Sequence, residues 1–164
     1  MPRSLLLFTL FICLFVTSCG FKEKHNAQDF YNRAGGINDS LDEMTEHWHN
    51  MLNTAVVRKN FNDLSAYRIT LGTFISNSRS TVANMEATSE NEKVKTNLET
   101  VLANQSDKVA NIYPRFELFS ALTPKDTINN NLKLLGDDLN SEKASALNIR
   151  NLLKAYAAKY GLKK

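Results

Sequence analysis

The fold is decided by residues 30–55, FYNRAGGINDSLDEMTEHWHNMLNTA, because the apolar side chains of this stretch recur at intervals of three and four residues. The recurring positions are Phe30, Ala34, Ile37, Leu41, Met44, Trp48, Met51 and Ala55. Heptad-like spacing of this kind puts the side chains on one face of an α-helix. The stretch therefore predicts an amphipathic helix that packs against other helices through that face.

Three further runs repeat this spacing along the chain. The second run is Phe61, Leu64, Arg68, Leu71, Ile75, Ser78, Val82 and Met85, with two polar members. The third is Val94, Leu98, Val101, Leu102, Val109, Ile112, Phe116 and Phe119. The fourth is Ile128, Leu132, Leu135, Leu139, Ala146, Ile149, Leu153, Tyr156 and Tyr160. No alternating apolar pattern persists beyond a few residues, so the chain predicts helices and no sheet.

Helix-start signals lie between the runs. Ser89 and Glu92 have the spacing of a capping box, in which each side chain bonds a free backbone N–H near the other. Thr123 followed by Pro124 and Asp126 predicts an N-cap hydroxyl, a proline at the first helical position and an early acid.

Breaks are predicted at proline and glycine. The pair Gly35-Gly36 precedes Ser40, which suggests that the first helix begins near residue 39 after a short helical or loose lead-in. Pro114 should kink or end the third helix, and Gly136 should loosen the fourth.

These patterns predict an all-α protein, an antiparallel up-and-down four-helix bundle joined by short connections. A three-helix bundle with a broken fourth element is the structural alternative. The predicted division is a signal peptide at 1–18, a tether at 19–26 and a helical bundle domain at 27–164.

The first nineteen residues are typical of an export signal rather than of a fold. Arg3 gives a positive start, and residues 5–16 are apolar except for Thr9. Twelve residues are too few for a helix that crosses a hydrocarbon core of about 30 Å. Small residues and a cysteine follow this run.

Val16-Thr17-Ser18-Cys19 resembles the lipobox of bacterial lipoproteins, which signal peptidase II cuts before the cysteine. The resemblance implies that Cys19 carries diacylglycerol on its thiol and a further acyl chain, such as palmitate, on its new amine. The residue after the cysteine is Gly20 rather than Asp, which implies an outer-membrane destination in the enterobacterial pattern. A signal peptide or signal anchor without lipid, with a chance cysteine, is the alternative.

Cysteine usage is consistent with this interpretation. The chain contains two cysteines, Cys13 inside the apolar run and Cys19 at its end. Cleavage before Cys19 would remove the first, and acylation would block the second. We therefore expect no disulfide and no thiolate chemistry in the mature protein.

The end of the chain is basic. From residue 143 onward there are basic residues and no acidic ones: Lys143, Arg150, Lys154, Lys159, Lys163 and Lys164. Cations near a helix C-terminus are favourable on their own account. In a four-helix bundle this end lies at the same pole as the tether, so Lys159, Lys163 and Lys164 are candidates for contact with anionic lipid.

One group of side chains resembles a metal site. Met44, His47 and Met51 fall within about 60° of one another around a helix, and thioether with imidazole suits Cu(I). The simpler interpretation is that both methionines fill the core. Glu46 and His49 form a Glu-x-x-His pair of the di-iron type, but the chain supplies no second such pair.

No motif for hydrolysis or phosphate binding occurs, and no cofactor or catalytic residue is predicted. The formal net charge is only +3, so nucleic-acid binding is not expected. The chain beyond the lipobox resembles small helical lipoproteins of Gram-negative bacteria. It predicts a non-enzymatic, membrane-anchored interaction or structural module in the cell envelope, with an unknown envelope protein as partner. A protein that binds copper or a small apolar molecule is the alternative.

Overall fold

The computed structural model describes residues 3–136 and 138–162, with side chains from residue 23 onward except at position 138. Six helices follow one another: α1 Arg3–Arg58, α2 Leu64–Ala83, α3 Glu92–Asn111, α4 Pro114–Glu117, α5 Lys125–Leu135 and α6 Asp138–Tyr160. No strand occurs in these ranges. The prediction of an all-α protein is confirmed.

Four long helices, α1, α2, α3 and α6, pack together around one apolar core. The most extensive contacts join α1 to α6 and α2 to α3, followed by α1 to α2 and α3 to α6. Each of the four therefore has two principal neighbours. The short helices α4 and α5 connect α3 to α6.

Contacts between neighbouring helices pair rising residue numbers on one helix with falling numbers on the other. Between α1 and α6, the contacts are Phe30 with Tyr156, Asn38 with Ala146 and His49 with Glu142. Between α2 and α3, they are Gly72 with Val109 and Ala83 with Lys95. The bundle consequently has two poles. One lies at the 84–91 connection and the end of α6, and the other lies at α4.

The predicted apolar runs form most of this core. Leu71, Leu98, Leu102, Trp48 and Ile149 are completely inaccessible to solvent. On α1, however, the buried line also passes through polar side chains, namely Asn38, Thr45 and His49. The predicted members Ile37, Met44 and Met51 lie beside that line and are only partly buried.

The first helix has no break at the glycine pair, so a start near residue 39 was wrong and the lead-in is helical. An added Cβ at Gly35 would meet only Leu153 Cδ1 at 3.9 Å, and one at Gly36 would meet nothing within 4 Å. Both glycines therefore lie in the helix without a close packing contact. Packing of the flanking residues Ala34 and Leu41, which are buried, accounts for the continuity.

The predicted capping box at the start of α3 was wrong. The N-cap is Asn91, and Ser89 Oγ donates to Glu90 Oε1 instead of reaching a backbone amide of the helix. Asn91 Nδ2 donates to the carbonyl of Glu86, and Asn91 Oδ1 accepts from the amide of Thr88. The buried Asn91 side chain therefore organises the 84–91 connection itself.

The two breaks in the second half of the chain follow proline and glycine. The third helix ends at Asn111, and Pro114 begins the four-residue α4, as its missing N–H requires. The fourth run is split into α5 and α6 after Gly136, so it is not a single helix. The cap of α5 is Pro124, one residue later than the predicted Thr123, whose Oγ1 instead accepts from the amide of Ser120.

Replacement of Gly36 with alanine tests the continuity of α1. Because alanine loses less backbone freedom than glycine and meets open space here, Gly36→Ala should stabilise the fold by about 0.5–1 kcal/mol. Urea unfolding followed by circular dichroism measures this change.

The matched control is Gly72→Ala in α2, where an added Cβ would lie 3.3 Å from Val109 Cγ1. We expect this variant to gain less stability than Gly36→Ala, since Val109 must shift. A destabilising Gly36→Ala would mean that the glycine pair is not helical in solution.

Candidate functional site

Side chains with possible chemical roles gather in two places, in the core next to α4 and at the pole where residues 23–33 of α1 lie. In the core, Trp48 of α1 is completely buried and stacks on Tyr113, with ring centroids 3.5 Å apart and planes inclined by 5°. Phe116 of α4 approaches Trp48 edge-on at 5.9 Å. Gln105 Nε2 donates a hydrogen bond to the Tyr113 hydroxyl at 2.7 Å.

Trp48 Nε1 is a buried donor without a hydrogen-bond partner. Leaving such a group unpaired costs about 1–3 kcal/mol. The stack on Tyr113 and the edge contact with Phe116 offset this cost, because buried aromatic pairs add about 0.5–1.5 kcal/mol each beyond their burial. We interpret Trp48 as the centre of the core.

Beside this stack lies the ionic cluster, which consists of His49, Lys108 and Glu142. Glu142 Oε2 lies 3.2 Å from His49 Nε2, and Glu142 Oε1 accepts from Lys108 Nζ at 3.0 Å. The side chains come from α1, α3 and α6, and each is less than one fifth exposed. One carboxylate thus joins three helices, which makes it a positioning element for the bundle.

Further ion pairs line the contact between α1 and α6. Arg150 donates to Asp39 Oδ1 at 2.9 Å and to Asp42 Oδ2 at 2.7 Å, and Lys143 donates to Glu46 Oε1 at 3.1 Å. These pairs are largely exposed and individually worth about 0–1 kcal/mol. Together they match the basic α6 to the acidic side of α1.

The basic end of the chain is therefore partly engaged within the protein. Lys159 forms an ion pair with Glu90 from the 84–91 connection and lies 5.9 Å from the Tyr160 ring centroid. The Lys159 ammonium holds the pKa of Glu90 below its usual value, and Glu90 raises the pKa of Lys159. Lys163 and Lys164 lie outside the described residues, and membrane contact by these lysines stays a prediction.

A groove of about 570 Å³, here called the pole groove, lies between residues 23–33 of α1, the 84–91 connection and the end of α6. Its aromatic wall consists of Phe30, Tyr156 and Tyr160, with centroids 5.3 Å apart for the first pair and 5.0 Å for the second. Four carboxylates, those of Glu23, Asp29, Glu86 and Glu90, also line it.

Burial, with smaller contributions from Tyr160, Glu23 and Glu90, raises the pKa of the Tyr156 phenol to about 12. Nearby negative groups oppose a phenolate in the same way that they oppose any added anion. Part of the negative charge of the pole groove is offset, because Arg33 pairs with Asp29 and Lys159 pairs with Glu90.

The predicted copper residues are only partly brought together. His47 is exposed and packs against the Tyr67 ring at 4.6 Å, and with Met51 it lines a groove of about 270 Å³ between α1 and α2. Met44 and Met51 both pack against the core. Among the described side chains, no group of three or more His, Cys, Asp or Glu could hold a metal ion. The Met44, His47 and Met51 site stays a prediction.

The predicted lipobox residues Val16, Thr17, Ser18 and Cys19 belong to helix α1, but their side chains are outside the described part. Within that part, no helix combines the length and the apolarity required to cross a membrane.

Sequence reasoning missed the ionic cluster. The predicted apolar run on α1 did not include His49, although Thr45, His49 and Leu52 follow one another at intervals of four and three, as core positions do. Polar residues at core spacing were the available signal. Lys108 and Glu142 gave no comparable signal, because only the packing of α3 against α6 brings them to His49.

Comparisons of the chain with protein-family models, with curated proteins and with solved structures returned no match.

Replacement of Glu142 tests the ionic cluster. Glu142→Gln keeps the shape of the side chain but removes the negative charge that both Lys108 and His49 contact in a largely buried place, so we expect a loss of about 1–3 kcal/mol. The control is Glu46→Gln, whose exposed pair with Lys143 should cost less than about 1 kcal/mol. Equal losses in urea unfolding would show that the cluster has no special structural role.

The Tyr156 pKa predicts alkaline sensitivity. The folded state keeps the phenol proton up to a pKa of about 12, whereas an unfolded tyrosine loses it near its usual value of about 10. The neutral phenol therefore makes its full contribution to the free energy of unfolding below a pH of about 10, and this contribution is lost as the pH rises to about 12. Wild-type unfolding free energy should therefore fall more steeply over this interval than that of Tyr156→Phe. Parallel curves for the two proteins would contradict this assignment.

Proposed function

We propose that this protein is a membrane-anchored lipoprotein of the cell envelope that acts as a non-enzymatic helical interaction or structural module. The observation that carries the proposal is the sequence Val16-Thr17-Ser18-Cys19 directly after a charged start and an apolar run. Signal peptidase II would cut before Cys19, and acyl chains on that residue would hold the protein to the outer membrane. Each buried acyl methylene contributes about 0.8 kcal/mol, so several chains give a lasting anchor.

The course of α1 supports a rigid connection between anchor and domain. Residues 19–26 belong to the same helix as the buried residues Ala27, Phe30 and Ala34. At 1.5 Å per residue these eight positions span about 12 Å. A helical tether of this length would hold the pole groove next to the membrane surface, with the bundle extending away from it.

We further propose that α1, α2, α3 and α6 form an antiparallel up-and-down four-helix bundle, with α4 and α5 as an interruption before the last helix. The opposed residue numbering of the contacts supports this topology, as do the short connections. The ion pairs of Arg150 with Asp39 and Asp42 also fit it, since they set a single register between α1 and α6. Such a bundle presents long exposed helix faces and a groove at the anchored pole, which suit contact with an envelope protein.

The anchor is tested by metabolic labelling with an alkyne palmitate analogue in the native host. Wild-type protein should incorporate the label and give a mature N-terminus at Cys19. The variant Cys19→Ser should incorporate none and should leave the membrane fraction or retain its signal, because no thiol is available at the cleavage site.

The matched control is Cys13→Ser, which removes the other cysteine and should be labelled as strongly as the wild type. An intact N-terminus at Met1, or an unmodified Cys19 in protein from its own host, would contradict the proposed function.

A further inference from the structure

At the pole opposite the pole groove, the chain displays two leucines on a turn. We call residues 118–124 the leucine turn; it connects α4 to α5. Leu118 is 84% exposed and Leu122 is 92% exposed. Single exposed leucines are common on protein surfaces, so these two are informative only together with the backbone and the charges around them.

The leucine turn is held in place by its own backbone and by one aromatic anchor. Phe119, which lies between the two leucines, packs edge-on against Phe61 at 5.5 Å and Phe116 at 5.6 Å. Because Phe119 points into the core, its neighbour Leu118 and the later Leu122 remain outside.

Most backbone donors of the turn are already satisfied inside it. The amide of Ser120 donates to Thr123 Oγ1, and the amide of Thr123 donates to the Ser120 carbonyl. The amide of Leu122 donates to Ser120 Oγ, and that of Phe119 donates to the Phe116 carbonyl. Entry toward the acyl chains is least costly for a segment that carries few unpaired N–H groups. The leucine turn meets this condition.

Exposed basic side chains flank the turn in sequence and occur at the neighbouring end of α1. Arg115 and Lys125 lie on either side of it, and Arg58 and Lys59 lie at and just after the end of α1, shortly before Phe61, which contacts Phe119. The exposed acids among the described residues of this pole include Asp63 and Asp126. Basic residues around an apolar tip favour a surface of anionic lipid.

We propose that the leucine turn inserts into anionic lipid membranes, with Leu118 and Leu122 at the boundary of the acyl chains and the basic residues at the head groups. A protein interface needs about 800 Å² on each partner, which two protruding leucines on a turn do not supply. Insertion of a few apolar side chains needs no such area.

The proposal does not depend on acylation of Cys19. Since α1 separates the two poles by about 40 Å, an anchored protein would be able to touch a second membrane.

The test places a fluorescent probe at the turn of the full chain. In a Cys13→Ser, Cys19→Ser background, Leu122→Cys is labelled with an NBD dye, and Leu147→Cys on α6, where leucine is 56% exposed, serves as the matched control. Both proteins carry the same N-terminus, so any difference between them reports the position of the probe.

With vesicles of phosphatidylcholine and phosphatidylglycerol, the probe at 122 should shift to the blue and brighten at least about twofold, as in an apolar medium, while the probe at 147 should not. With Leu118→Ser, the lipid concentration needed for half of the response should rise about tenfold. With Leu134→Ser, on α5, this concentration should not change. Arg115→Gln with Lys125→Gln should reduce the response to anionic vesicles and leave any response to pure phosphatidylcholine unaltered. Circular dichroism should be the same for all variants, because the altered side chains are exposed.

Three results would overturn the proposal. The first is the absence of any response from the probe at position 122. The second is an equal response at position 147, which would mean that the whole protein adheres to the vesicles. The third is a response at position 122 that grows with protein concentration when no vesicles are present. The last result would assign the leucine turn to contact with a second copy of the chain.

Discussion

The stack of Trp48 on Tyr113 is the contact on which the rest of the structure depends. It fixes the middle of α1 against the segment where α3 has ended and α4 has not yet begun. Both rings are inaccessible to solvent, so a change in the position of either helix would expose a large aromatic surface. Pro114 follows Tyr113 directly, and the chain must leave the α3 direction there. The stack therefore fixes the place at which the third helix ends relative to the core.

Electrostatic contacts then set the register of α6, because apolar packing alone is tolerant of small shifts. Glu142 lies between His49 and Lys108, and Arg150 lies between Asp39 and Asp42, so the last helix is held at two levels along α1. The inner level is partly screened from water, and displacement of α6 by one turn would leave charges there unpaired. The ion pairs of Arg150 are more exposed, so they add little free energy and mainly favour one register of α6 along α1.

The two poles of the molecule differ in chemistry. At one pole, carboxylates and aromatic rings line a groove, and Lys159 is already paired with Glu90. At the other, two exposed leucines lie on a turn whose amides are mostly bonded internally, and exposed basic side chains flank that turn in sequence. The proposed attachment at one pole would leave the opposite pole and the exposed helix faces available for contacts.

The sequence by itself determined the all-α class and most of the core, because heptad-like spacing of apolar residues is a local property of a helix. It also located the break at Pro114, since proline lacks the N–H that the helix needs. It did not determine that α1 continues through Gly35 and Gly36, because helix propensity disfavours glycine and only packing of the flanking residues reverses that preference.

The burial of Asn38, Thr45 and His49 was likewise decided only by the tertiary structure. A polar side chain becomes a core residue when partners from another helix reach it, and those partners, Ala146 and Glu142, lie about a hundred positions away in the chain. Spacing along one helix records which side chains share a face. It does not record which atoms of a distant helix will satisfy them, and that pairing exists only once α1 and α6 have packed together.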